Sequence, residues 1–231
     1  MNDFLFSSLY LGVFISLGTY VFGMYIKSKF KLEILNPILI SAILTITLLT
    51  VMDIDYETYN ETAKYLTYLL TPATVCLAVP LYEKIKLLKK HLWAVLISVF
   101  SGVIANGLCI LLLGLVFNLT KTQFATLIPK SITTAMGIGV SNELGGIENL
   151  TVAAIVFTGI FGTVTATSVL KLFKITHPIA KGLAIGTSAH ALGTSKAIEL
   201  GEIEGAMSGL AIAVCGLMTV IIAPLFVFIY G

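Results

Sequence analysis

Long apolar runs alternate with short polar ones along this chain, and their lengths predict helices that cross a membrane. Phe4–Ile26, Ile34–Met52, Leu92–Phe117, Leu150–Leu170 and Ala206–Tyr230 are continuous apolar stretches, each close to the roughly 20 residues that span a bilayer core. A further run, Tyr65–Tyr82, carries Pro72 and Pro80 in the string TPATVCLAVPLY. Proline lacks the backbone donor and clashes with the preceding turn. A broken helix is therefore predicted over 65–82, with Pro72, Thr74 and Pro80 at the break. The first run lacks a basic leader and is too long for a signal-peptide core, so it reads as a retained membrane helix.

Two segments break the apolar pattern. Residues 127–146 read LIPKSITTAMGIGVSNELGG and residues 179–202 read IAKGLAIGTSAHALGTSKAIELGE. Both are rich in Gly, Ser and Thr, with a lysine near the start and a glutamate near the end. They also match each other: ELGGIE at 143–148 pairs with ELGEIE at 199–204, and Ile128-Pro129-Lys130 with Ile179-Ala180-Lys181. An apolar run follows each. The unit is a polar segment, ELGxIE and a helix, used twice, over 127–170 and 179–230.

Lysine placement orients the chain. Lys27, Lys29 and Lys31 follow the first run, and Lys84, Lys86, Lys89 and Lys90 precede Leu92, whereas Asp53, Asp55, Glu57 and Glu61 lie in the loop between. Lysine-rich loops face the cytoplasm, which puts the N-terminus outside. Lys171 and Lys174 are then cytoplasmic only if 127–146 enters and leaves on the outer side, as a re-entrant pair of half-helices. Successive units are inverted, a design recurrent in secondary transporters.

Composition agrees: of 231 residues 57% are hydrophobic and only 11% charged, against about a quarter charged in soluble domains. Mean hydropathy is +1.00. The fold class expected is an all-α polytopic membrane protein with about six spanning helices, two re-entrant or broken helical hairpins and an inverted repeat. Residues 1–120 are expected to form scaffold and oligomerisation helices, and 121–231 the core, within one integrated membrane domain. The net charge of +2 adds nothing by itself. Cys76, Cys109 and Cys215 sit in apolar runs and form no metal-like pair, so they read as buried apolar side chains.

Non-helical backbone inside a bilayer persists only when buried in protein or lining a watery cavity. Helix N-termini there favour anions, and hydroxyls donate without adding charge. The expected binding residues are Lys130, Ser131, Thr133 and Thr134 at one tip and Thr187, Ser188, His190, Gly193, Thr194, Ser195 and Lys196 at the other. The two GTS triplets stand seven residues apart, on one face of an uninterrupted helix. The bland alternative is that such small residues serve close helix packing. His190 is an intramembrane ionisable group and hence a functional candidate. Lys130 and Lys196 pair either with a ligand carboxylate or with Glu143 and Glu199; Lys181 is expected to reach the headgroups. Asn106, with Ser101 and Gly102, reads as an interhelical hydrogen-bonder. There is no phosphate loop, CxxC, HExxH or nucleophile elbow. Neither an enzyme nor a nucleic-acid binder is indicated, and no catalytic or metal residue is assigned. The lysines at 84–90 suit anionic lipid.

The strings TPATVCLAVPLY, PKSITT and GLAIGTSAHALGTSKAIELGEIEGAMSGLA, over roughly residues 65–225, resemble hallmark segments of the LrgB/CidB family. The resemblance implies an integral protein of the bacterial plasma membrane, paired with a small LrgA/CidA-type membrane protein. It implies either holin/antiholin-like modulation of murein hydrolase activity and autolysis, or transport. Related bacterial proteins are linked to pyruvate uptake, and a plastid relative moves glycolate and glycerate. One departure is Ala135-Met136-Gly137-Ile138-Gly139, where the family commonly has a proline after PKSITT. The expectation is a secondary transporter of 2-oxo or 2-hydroxy monocarboxylates such as pyruvate, lactate, glycolate or glycerate. It would need no cofactor, with H+ or Na+ as possible coupling ion, and would form a homodimer or higher oligomer. The alternative is the antiholin-like role with the LrgA-type partner.

Overall fold

The structure is a computed structural model that describes residues 10–30, 35–69, 72, 82 and 85–231. Two compact units divide the chain, Met1–Cys76 and Leu77–Gly231. In the first unit α1 (Leu11–Phe30), α2 (Pro37–Val51) and α3 (Tyr56–Tyr68) pack together. Hydroxyls join them: Gly12 N donates to Thr62 Oγ1 at 2.9 Å, and Thr19 Oγ1 lies 2.9 Å from Ser41 Oγ and 3.0 Å from Thr45 Oγ1. Helix α2 starts where Asn36 accepts from Ile38 N and Pro37 takes the first turn, a position that needs no proline N–H. The acidic stretch expected as a loop is largely helical. Asp55 caps α3 by accepting from Thr58 N at 2.8 Å, so Glu57 and Glu61 ride on that helix, which ends at Tyr68. The expected broken helix at 65–82 falls mostly outside the described residues, Thr74 and Pro80 included; Pro72 is helical and exposed.

In the second unit, α4 (Ile85–Lys90) leads into α5 (Leu92–Phe117), α6 (Lys121–Leu127), α7 (Thr134–Glu143), α8 (Glu148–Leu172), α9 (Pro178–Leu200) and α10 (Glu202–Tyr230). Among the described residues the elements are all helical, and α1, α5, α8 and α10 are long and apolar enough to cross a membrane. Helix α2, at 15 residues, reaches only about 22 Å at about 1.5 Å per residue, short of a core about 30 Å thick. Val95, Val99, Val103 and Ile110 give α5 one buried face. Its other sides expose Trp93, Ile97, Leu112 and Leu115, suited to lipid rather than water. The buried face packs against Phe124, Ile128 and Ile132, and the same cluster takes in Leu183 of α9 and Met207, Leu210 and Cys215 of α10.

Two places reverse the chain inside this unit. The first is the turn 128–133 between α6 and α7, both short helices. The second is His190, whose φ of 42° and ψ of −140° interrupt α9. A straight helix would hold residues 185 and 193 about 12 Å apart. Instead, a Cβ at Gly193 would lie 2.9 Å from Ile185 Cγ2. Gly186 abuts Ser208, which also bonds Thr194 Oγ1 at 2.8 Å. Lys181 Nζ comes within 3.9 Å of Glu204 Oε1, although Glu204 follows α9 by one short step. Helix α9 therefore doubles back at His190, and both its ends meet the start of α10. Lys181 thus has an ion-pair partner in Glu204.

Helix directions follow from the same contacts. The first half of α9 runs parallel to α10, with Gly182 against Glu204 and Gly186 against Ser208. It runs antiparallel to α8, where Ile185 clusters with Ala166 and Leu170 while His190 reaches Ile155. Helices α8 and α10 are thus antiparallel. Each follows a chain reversal, and ELGxIE occupies both junctions, at 143–148 and 199–204.

Candidate functional site

The two reversals meet beside the middles of three long helices. On α5, Asn106 Nδ2 donates to Ile128 O at 2.9 Å and Gly102 faces Thr187. On α8, Gly137 abuts Ile155, and His190 Nε2 lies 2.9 Å from the Ile155 carbonyl oxygen. On α10, Gly216 abuts Met136, and the neighbouring Cys215 Sγ lies 3.8 Å from Thr187 O. On the three long helices these contact residues lie away from the ends.

A cavity of about 860 Å³ opens there. Its walls are mostly small or apolar side chains of α5, α8 and α9, with Lys130 and Ser131 from the first reversal. Among its described lining residues Lys130 carries the sole charge. The Lys130 ammonium is half-buried and donates to Ser131 Oγ at 3.3 Å; Ser131 Oγ in turn donates to Asn106 Oδ1 at 3.3 Å. Among the described residues no carboxylate forms an ion pair with Lys130, so Glu143 does not neutralise it. Thr187 is another lining residue; it is 8% exposed, and its Oγ1 is buried without a hydrogen-bond partner. Ser188 also lines the cavity, with its hydroxyl turned back onto Ala184 O at 2.8 Å. A cation without an ionic partner in an otherwise neutral chamber suits a small anion.

The other expected residues stand elsewhere. Thr133 caps α7 without a side-chain cap bond, and Thr134 begins that helix, half-buried. His190 is 3% exposed and holds the break itself. Thr194 Oγ1 donates to His190 O at 3.1 Å and Gly193 packs on Ile185. Ser195 is exposed. Lys196 Nζ lies 3.1 Å from Glu199 Oε2, the intrachain pairing rather than a place in the cavity. The cysteines divide: Cys215 is buried as expected, but Cys109 is exposed because it shares the cavity-lining face of α5, and Cys76 lies outside the described residues. No group of His, Cys, Asp and Glu fit for a metal occurs among the described residues.

Ser98, Ser101, Gly102, Ala105, Asn106 and Cys109 all line the cavity, and only part of this set drew notice in the sequence. Their spacing follows the helical period through an apolar run, which was the signal available.

The profile of the LrgB-like family matches residues 16–229. The chain belongs to the LrgB-like family. Antiholin-like protein LrgB of Bacillus subtilis (strain 168) is 34% identical over 225 residues, covering 97% of each chain. Antiholin-like protein LrgB of Bacillus cereus (strain B4264) is 34% identical over 218 residues, covering 94% of this chain and 95% of that one. No solved structure matches. The LrgB-like match extends from within α1 almost to the end of α10 and so includes both reversals and the cavity. With its apolar helices, this LrgB-like chain is a helical multi-pass membrane protein.

Proposed function

We propose that this LrgB-like protein is a carrier for small 2-oxo or 2-hydroxy monocarboxylates such as pyruvate, lactate, glycolate and glycerate, working by alternating access. The observation that carries the reading is Lys130: a cation without an ionic partner among the described residues, in a chamber walled by α5, α8 and α9. A compact single-charge site at mid-depth is where secondary transporters bind substrate. The antiparallel course of α8 and α10, each after a reversal, supports an inverted repeat with both reversals re-entrant from opposite faces. About six spans in all, an outer N-terminus, a plasma-membrane location, an oligomer and coupling to H+ or Na+ complete the proposal. Labelled pyruvate or glycolate uptake into proteoliposomes tests it. Saturable flux supports the carrier; absence of substrate-dependent flux, with and without an LrgA-type partner, sinks it.

A second reading has its own observation. The relatives bear the name antiholin-like protein LrgB, which favours an antiholin-like membrane role, with an LrgA-type partner, over the carrier. The cavity pulls the other way, because a holin-type lesion has no use for a compact site holding one ammonium. Release of a large dye from liposomes under control of the protein supports the antiholin-like role, and selective saturable uptake the carrier.

A further inference from the structure

We propose that Asn106 is the positioning residue of the anion site: it turns the Ser131 hydroxyl so that its oxygen accepts from Lys130, and thereby holds the ammonium at the cavity wall. The inference rests on the carrier reading and adds to it a residue that works through Lys130 rather than on the ligand. Asn106, Lys130 and Ser131 all line the cavity, and hydrogen bonds join them in one chain. Asn106 Nδ2 donates to Ile128 O at 2.9 Å, Ser131 Oγ donates to Asn106 Oδ1 at 3.3 Å, and Lys130 Nζ donates to Ser131 Oγ at 3.3 Å. The base of the chain is firm. Val103 and Ile110, on either side of Asn106, are buried, and Gly107 abuts Phe226 of α10.

The far end fixes the direction of the whole chain. Ile128 closes α6, where the last carbonyls of a helix have no partner within it, and a carbonyl only accepts. The Asn106 amide must therefore turn Nδ2 to Ile128 and Oδ1 to Ser131. A hydroxyl has one proton; given to Oδ1, it leaves Ser131 only lone pairs to offer Lys130. An ammonium has three donors, so one goes to Ser131 and two remain for a carboxylate. Ser131, expected as a binding residue, thus serves the cation and not the ligand. Without the amide, the hydroxyl proton is free to turn toward the ammonium, where it repels. An amide also leaves the charge of Lys130 uncompensated, which a carboxylate at position 106 would not.

The full-length protein in proteoliposomes is given labelled pyruvate or glycolate, whichever the unsubstituted protein takes up, and half-saturation and maximal rate are read separately. Asn106→Leu is expected to raise half-saturation about three- to tenfold, the size of one hydrogen bond, with maximal rate within about twofold. Ser131→Ala should raise it similarly. Adding Asn106→Leu to Ser131→Ala should then change it by less than about twofold, since the effect passes through Ser131. Asn106→Asp keeps the side-chain shape but sets a carboxylate near the ammonium, and should raise half-saturation at least about tenfold, more than Asn106→Leu. Independent, multiplying effects of Asn106→Leu and Ser131→Ala, or unchanged half-saturation in either Asn106 variant, overturn the positioning role while the carrier stands. Should Asn106→Leu fail to fold, Asn106→Asp decides alone. Intact thermal unfolding beside at least about tenfold weaker half-saturation supports the role, and unchanged half-saturation overturns it. If the unsubstituted protein takes up neither acid, the carrier reading and this inference fall together.

Discussion

His190 Nε2 lies 2.9 Å from the carbonyl oxygen of Ile155, and because a carbonyl only accepts, the ring carries its proton on Nε2. The bond ties the break in α9 to the middle of α8. It also helps hold a residue at φ 42°, ψ −140°, a conformation whose strain is about 1–3 kcal/mol for a residue with a side chain. Gly159 leaves the room for the ring: a Cβ there would lie 2.6 Å from His190 Cε1.

His190→Gly sets two effects against each other. Glycine relieves most of the strain, but losing the ring removes one buried hydrogen bond, worth about 0.5–1.5 kcal/mol, to a carbonyl that keeps its bond within α8, and opens a cavity. The second pair of terms wins, so His190→Gly is expected to destabilise by about 1–2 kcal/mol net. His190→Ala should be worse, since it loses the bond and keeps the strained φ. Unfolding in detergent, read by calorimetry or proteolysis, checks the order; equal stability of Gly and Ala variants would show that the backbone at 190 is unstrained.

Gly102 and Thr187 form a testable pair. A Cβ at Gly102 would sit 2.5 Å from Thr187 Cγ2, so Gly102→Ala must displace the threonine, an overpacking worth about 1–3 kcal/mol. Serine lacks that methyl. Thr187→Ser is therefore expected to recover most of the loss when combined with Gly102→Ala, although alone it changes stability little. A double-mutant cycle with coupling below about 0.5 kcal/mol would contradict the contact.

Lys130 should govern affinity rather than folding. Lys130→Met keeps an aliphatic stem in the half-buried site and removes the charge. Losing a charge-assisted bond of about 1.5–3 kcal/mol predicts at least about a tenfold weaker half-saturation for a carboxylate. Retained thermal stability beside lost uptake is the expected outcome, and unchanged uptake would remove Lys130 from the site.

Asp55 provides a pH handle outside the long apolar helices. The Thr58 hydroxyl and backbone N–H bond its carboxylate and hold it below the ordinary carboxylate value. The contribution to capping α3 is full above the unfolded value of about 3.9 and disappears as pH falls through the lower folded one. Protection of the amides at the start of α3, taken relative to intrinsic exchange, should fall below about pH 4 in the native sequence, and the Asp55→Asn variant should show no such fall.

The cores of both polar segments could be read from the chain because hydroxyls and lysines have no place against lipid, and Lys130, Ser131, Thr187 and Ser188 do line one cavity. The second GTS triplet did not follow the first. Placing residues 186–188 and 193–195 on one face assumes an unbroken helix, and the break at His190 lies between them. It sends Thr194 to Ser208 and leaves Ser195 exposed. No glycine or proline stands at position 190 to announce it. On α5 the reverse happened: a run apolar enough to span hid a stripe from Ser98 to Cys109 that only its helical period distinguishes.

Doubling back at His190 also makes a topological prediction. Lys181 approaches Glu204 within 3.9 Å and Glu199 lies at the other end of α9, so both ends of α9 share one side. Cysteines introduced as Lys181→Cys and Glu199→Cys, with Cys76, Cys109 and Cys215 replaced, should react with an impermeant thiol reagent from the same face of the membrane. Because α8 and α10 are antiparallel and each follows its own reversal, Glu143→Cys should react from the opposite face. Labelling of 181 and 199 from opposite faces would mean that α9 crosses the bilayer, which the contact of Gly193 with Ile185 does not permit.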